Sequence, residues 1–395
     1  MPPASLPAER PDVVVVALSA RALAAAARRA GRRPAAIDLF GDEDTKHLAD
    51  PCVRLPSAGL RLDAGALLDA LARPELRDVP LVYGAGFEDD PPLLARIAED
   101  RPVFGNPAEV VARAKDPFAF AGLLDRLGIP HPPVARALAG VSPDTLADGY
   151  LLKRIGGSGG GHVAVASIRQ APPGWYFQRR VRGESVSVLF LGDGRRSAVI
   201  GISRQWTSPA SSTPYRYGGV AAPLRLPKPL GASLRDMVAR LTEALGLVGL
   251  NSADFLVAGP TVHLLEVNPR PGASLDVFDR APMPPLFGLH LDACAGGLPK
   301  RLPTFWGCRA AVVHYAAAPI LIGAHVRWPA WTADRPATPA SIDEGQPIVT
   351  VLADGAGVAS ARRMAERRRE QLAAGLSRRG TPARRQAAVM MEMPP

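Results

Sequence analysis

The chain opens on apolar runs that alternate with amphipathic ones. Residues 12–18, DVVVVAL, form an uninterrupted apolar stretch of the kind a strand buried on both faces requires. SARALAAAARRAGRR follows with helical spacing, with Ser19 as its N-cap and Gly31 just past its end. PAAIDLF is the next strand, and strand–helix–strand at this spacing predicts a parallel βαβ unit. ALLDALAR, VPLVYGAG, LLARIAED and PVFGN carry the alternation to about residue 110. The first turn of this α/β domain lacks a glycine fingerprint, so no dinucleotide site is predicted there. VARAKDPFAFAGLLDRLGIP (111–130) reads as one helix with a proline-marked stop. From residue 150 the pattern changes to strands: YLLKRI, HVAVAS, GWYFQRRV, ESVSVLFL and RSAVIGISRQW. A helix, ASLRDMVARLTEALGL, precedes two further strand runs, NSADFLVA and HLLEVNPR. Short strands and a basic helix close the pattern, and the last ~15 residues read as a disordered tail.

Composition narrows the class. At 395 residues, with 47% hydrophobic and 21% charged positions, the chain predicts two or three globular domains. No apolar run approaches the ~20 residues of a membrane span, and the N-terminus has no secretory pattern. Cys52, Cys294 and Cys308 have no metal spacing and suggest no disulfide framework, so a cytoplasmic setting is expected. The formal charge is +10, but much of the surplus lies in the C-terminal ARRMAERRREQLAAGLSRRGTPARRQ, and no nucleic-acid-binding signature accompanies it. Only five basic residues are lysines: Lys46, Lys115, Lys153, Lys228 and Lys300. In a chain that uses arginine nearly everywhere, a lysine marks a place that needs a compact charge on a flexible stem.

The chemistry concentrates in one hairpin. If the chain reverses around Gly259–Thr261, centred on Pro260, Asp254 and Glu266 become direct cross-strand partners, and Asn268 shares their face. Like charges in direct opposition destabilise a sheet, so something positive is expected between them. The hard oxygens of two carboxylates and an amide suit Mg²⁺, with Mn²⁺ as a substitute, rather than zinc or copper. The alternative is a solvated edge carboxylate with Arg270 paired to Glu266. A two-residue turn would put the acids one position out of register.

Upstream, LLKRIGGSGGGHVAVA places Lys153 at a strand end, then Gly156, Gly157, Ser158, Gly159, Gly160 and Gly161, then a second strand. A turn so poor in side chains lets backbone N–H groups converge on an anion. It is no Walker A loop, and its loose G-x-G-x-x-A match opens a strand where a dinucleotide fingerprint must open a helix. His162 stands beside it. In FQRRVRGE, Gln178 and Val181 can offer an edge to a base, and Glu184 can accept from ribose hydroxyls. The remaining histidines are scattered and form no cluster.

Taken in order, these pieces resemble the ATP-grasp fold over roughly residues 10–300, with the E-x-N-x-R ending of the hairpin the most specific part. The resemblance implies an α/β and α+β protein: a Rossmann-like pre-ATP-grasp domain (1–110), an ATP-grasp domain (111–300, lid about 130–180), a small β-rich appendage with the basic helix (301–378), and a tail (379–395). It implies ATP contacts from Lys115, Lys153, the glycine lid and the Gln178–Glu184 linker, with Asp254, Glu266 and Asn268 as Mg²⁺ ligands. Arg270, with Lys153, would act in phosphoryl transfer. The linker often begins with glutamate where this chain has Gln178, which leaves base preference open.

The resemblance further implies an ATP-dependent carboxylate–amine ligase working through an acyl phosphate, with small-molecule carboxylate and amine substrates and a homodimer as one arrangement. The segment after 300 is similar to the tail of ATP-grasp proteins tied to tetrahydromethanopterin and methylofuran synthesis, which would add an amino acid such as glutamate to a C1-carrier precursor. A biotin-carboxylase-like carboxylase and a non-catalytic ATP-binding regulator stay as alternatives. SRQWTSPASSTPYRYGG (203–219) is expected to border the acceptor pocket, with Arg204 and Arg216 taking a carboxylate; otherwise it is a solvent loop.

Overall fold

The computed structural model describes residues 10–56, 59–379 and 381–382. The first sheet has five strands, in the order Cys52–Arg54, Pro34–Asp38, Val13–Val16, Leu81–Tyr83 and Val103–Phe104. Every pairing in it is parallel. The three central strands are buried along their whole length, as continuous apolar runs must be when helices cover both faces. The first helix runs Arg21–Arg29, and its N-cap is Ala20 rather than Ser19. Asp38 on the neighbouring strand accepts the Ala20 N–H at 3.0 Å, while the Ser19 hydroxyl turns to Asp334. A carboxylate brought by the fold thus displaced the local cap. Ala24, Ala26 and Ala27 share a core with Leu189, Leu250 and Phe278, so the small side chains let this helix lie close to the strand Pro34–Asp38 and to the helices Leu275–Phe278 and Leu286–Cys294.

The single helix expected over 111–130 is two, Ala108–Lys115 and Pro117–Arg126. Pro117 cannot continue a helix and drives Asp116 into extended backbone. The Asp116 carboxylate then caps the second helix, accepting from the Phe118 and Ala119 N–H groups at 2.8 and 2.9 Å. The break leaves Lys115 on the last position of the first helix, where its side chain can reach sideways.

A four-stranded antiparallel sheet follows, ordered Val134–Ala135, Trp175–Arg179, Tyr150–Arg154, Val163–Val165. The largest sheet has eight antiparallel strands, and the hairpin of Val248–Ala258 and Thr261–Asn268 forms one edge of it. Strands Cys308–Tyr315 and Pro347–Gly355 belong to this same sheet. Much of the β structure past residue 300 therefore continues the sheet that carries the hairpin. The basic helix, Val358–Arg379, covers these last strands and buries Ala361, Ala365, Leu372 and Leu376. The tail expected over 379–395 falls almost wholly outside the described residues. Among the described residues no helix is long and apolar enough to cross a membrane.

Candidate active site

The hairpin turns on two residues, Gly259 and Pro260, since Ala258 faces Thr261. Gly259 takes φ +59, which such a tight turn needs. From that turn alone Asp254 would face Leu265, with Glu266 one position out. A β-bulge between Leu264 and Glu266 absorbs Leu265 and restores the opposition: Asp254 faces Glu266, and Ser252 faces Asn268. The expected pairing stands, reached through a different turn.

The positive group between the acids is Lys115. Its Nζ lies 2.8 Å from Asn268 Oδ1 and 3.2 Å from Glu266 Oε2. Asn268 Nδ2 in turn donates to Asp254 Oδ2 at 3.0 Å. Burial by itself would raise both carboxyls. Beside Lys115, Lys153 and His162, Glu266 is instead held well below the usual range. Asp254 has burial and the Glu266 charge against it and is pushed up. Lys115 thus compensates one acid and leaves the other wanting a cation. Two carboxylates and an amide are the donors a hard divalent ion takes. Among the described residues no group of three or more His, Cys, Asp or Glu forms a site of its own.

The hairpin is one wall of a cleft that is partly open to solvent. One end is apolar, lined by Phe120, Leu124, Pro132, Val134 and Leu264. The other carries Lys115, Lys153, Glu266, His162, Gly156 and Gly157. Lys153 is buried and donates to Gln178 Oε1 at 3.2 Å, and Tyr176, Glu266 and Asp254 keep it charged against its burial. Burial pushes His162 down to about 4, so the imidazole facing this end is neutral at pH 7. The glycine loop lies over the polar end, with Gly156, Gly159 and Gly160 at φ +70, +68 and +73.

Arg270 does not pair with Glu266. Its Nε donates to Glu88 Oε1 at 2.6 Å, across 182 residues of sequence. Glu88 Oε2 accepts from the N–H groups of Gly86 and Phe87 at 2.7 and 3.1 Å. Both side chains are nearly enclosed, at 10% and 3% exposure, so this is a fixed pair and not a surface one. The backbone just beyond is held as well, because the Pro269 carbonyl accepts from Asn106 Nδ2 at 2.9 Å and lies 3.3 Å from Tyr83 Oη. Glu88 and Asn106 were missed in the sequence. Their one signal is position, since each follows a parallel strand at its C-terminal end, where open α/β sheets gather function.

Gln178 lines the cleft from the strand Trp175–Arg179, whereas half-buried Val181 on the following connection and exposed Glu184 at the start of Glu184–Asp193 are not among its lining residues. Arg204 ion-pairs with Glu184, and its Nε is buried without a hydrogen-bond partner. Arg216 is engaged elsewhere: Nε donates to the Ser208 carbonyl and Nη1 to the Gly345 carbonyl, each at 3.0 Å. Its guanidinium also stacks 3.7 Å from the Tyr315 ring centre. The two arginines are therefore not brought together as a carboxylate clamp.

Residues 114–274 match the ATP-grasp domain family. The large chains of carbamoyl phosphate synthase from Rhodopirellula baltica and Thermus thermophilus are 26% and 28% identical over 226 and 253 residues, covering 51% and 56% of this chain. The chain spans only 20% and 24% of those relatives' own length. In fold it is similar to the biotin carboxylase of Campylobacter jejuni (TM-score 0.66, 14% identity, 88% of each chain). The biotin carboxylase domain of Hydrogenobacter thermophilus 2-oxoglutarate carboxylase, solved with MgADP and bicarbonate, is equally similar (TM-score 0.67, 13% identity, 89% of this chain and 87% of that one). Domain match and fold agree: residues 114–274 are an ATP-grasp domain, set in a chain that shares the fold of the biotin carboxylases.

Proposed function

We propose that this chain is a carboxylate–amine ligase that activates an acid with ATP. The observation that carries the reading is the two-ended cleft, with an apolar end against which a nucleobase would lie. At its other end two lysines, two opposed carboxylates and an amide meet beneath a glycine loop. Phosphoryl transfer asks little covalent chemistry of a protein and much positioning of charge. Lys115 and Lys153 would hold phosphate oxygens, and the N–H groups of Gly156–Gly161 would cover them. Gln178, Val181 and Glu184 would take the base and ribose. Mg²⁺, held by Asp254, Glu266 and Asn268, would supply charge neutralisation during transfer. Arg270, fixed by Glu88, would steady the oxygens of the activated acid.

In the reaction the substrate carboxylate attacks the γ-phosphorus and ADP leaves. An amine then attacks the carbonyl carbon of the acyl phosphate, phosphate leaves, and an amide forms. The resemblance of the segment past 300 supports an amino acid such as glutamate joined to a pterin- or furan-type cofactor precursor. A second reading takes bicarbonate as the activated acid, and it is supported by the likeness in fold to the biotin carboxylases.

The test is nucleotide product analysis with Mg-ATP, a panel of acids, bicarbonate and amines, and Glu266→Gln as control. ADP and phosphate released only when acid and amine are both present supports the ligase. Release with bicarbonate alone supports the second reading. AMP and pyrophosphate contradict both.

A further inference from the structure

The glycine loop is docked on both flanks, and one landing surface is anchored to the far end of the chain. On one side, a Cβ on Gly156 would lie 2.5 Å from the Glu88 carbonyl oxygen. On the other, a Cβ on Gly160 would lie 2.0 Å from the Tyr215 carbonyl oxygen, and Tyr217 N–H donates to the Gly159 carbonyl at 2.9 Å. Both contacts exist only because these positions are glycine. The segment the loop meets, 208–217, is itself not a strand over most of its length, so something must hold it in place.

Arg216 does this. Within the segment its Nε closes on the Ser208 carbonyl, and its Nη1 reaches the Gly345 carbonyl. The guanidinium lies flat over Tyr315, whose hydroxyl donates to the Tyr217 carbonyl at 2.7 Å. Fork, stack and hydroxyl together anchor both ends of the landing surface to residues past 300. A planar guanidinium can bond two carbonyls and stack at once, which a lysine cannot.

We propose that Arg216 is a positioning residue, anchoring the 208–217 segment to Tyr315 and Gly345 so that the glycine lid docks on Tyr215–Tyr217. This gives the strands past residue 300 a part in lid closure. The catalytic consequence rests on the ligase reading, whereas the docking itself does not.

Hydrogen exchange on the full chain, without nucleotide, tests the docking. Arg216→Ala should speed exchange in the lid, residues 154–163, and at the Tyr217 amide by about tenfold, since two charge-assisted bonds and a stacked ring are lost. Exchange in the hairpin, 248–268, should not change. Arg216→Lys should fail to rescue. If Arg216→Ala loosens the whole protein, Gly160→Ala decides, because it strikes the lid side and leaves the anchor intact. Faster lid exchange in Gly160→Ala supports the latch, and unchanged lid exchange overturns it. In turnover with Mg-ATP, Arg216→Ala should lower kcat with the KM for the acid unchanged. A raised KM for the acid with normal lid exchange would make Arg216 a substrate ligand and overturn the proposal. Failure of the wild type to bind Mg-ATP would contradict the ligase reading and leave the exchange result standing.

Discussion

Two buried charge clusters in this protein are built on opposite plans. At the interface of the first helix with the later chain, Arg21 meets Asp276 and Asp334, its Nη2 donating to Asp276 Oδ2 at 2.7 Å and its Nε to Asp334 Oδ1 at 2.9 Å. One planar fork satisfies these two acids, so the pairing is closed, while the buried Asp42 beside it is pushed up to about 9 by burial and by Asp334, Asp38 and Asp44. At the hairpin, Lys115 meets Glu266 and Asn268, while Asp254 has only uncharged donors, the Asn268 and Gln205 amides and Ser187, with burial and the charge of Glu266 against it. A closed cluster holds structure together. An open one keeps repulsion in reserve for a ligand to relieve.

The contrast breaks first at Arg21. Arg21→Ala leaves two buried carboxylates unpaired and should cost about 3–5 kcal/mol in urea unfolding, with nucleotide affinity per folded molecule unchanged. A loss under 1 kcal/mol would mean that the cluster is not closed. Glu88→Gln tests the pair behind the hairpin: kcat should fall about 10²-fold because Arg270 loses its charged anchor, while ATP affinity holds. Equal loss in both would give Glu88 a part in nucleotide binding.

His290 sharpens the comparison as a buried group with no charge at all. Its Nδ1 accepts the Leu250 N–H at 2.9 Å, its Nε2 lies 3.1 Å from the Phe104 carbonyl, and burial pushes it down to about 4. A histidine depressed on folding contributes stability that is whole above its unfolded pKa and lost as pH falls through the folded one. From pH 7.5 to 4.5 that loss is roughly 2 kcal/mol, and urea unfolding of His290→Asn should show a correspondingly smaller acid sensitivity. The smallest effect belongs to Asp254→Asn, which removes one of two opposed charges. Its stability at pH 7 should change by less than about 1 kcal/mol, with a gain more in keeping than a loss. A cost of several kcal/mol would show Asp254 to be a structural partner.

The hairpin was legible because strand alternation and one repulsive pairing are local. So were the two lysines, which stand out in a chain biased to arginine. The turn was not, since a two-residue turn and a bulge at Leu265 give the same opposition as a longer turn with none. Pro117 was visible, but that it would split a helix and free Lys115 was decided by how Asp116 capped the second half. Glu88 and the tethers of Arg216 were out of reach, because their partners lie 182 and 129 residues away and nothing local marks them.

Calorimetric titration of ATP with and without Mg²⁺, in the wild type and in Glu266→Gln, tests the central claim most directly. If the hairpin is a cation site for a bound nucleotide, Mg²⁺ tightens ATP binding to the wild type by about tenfold or more, and the variant loses that gain. The same Mg²⁺ dependence in both proteins would contradict it.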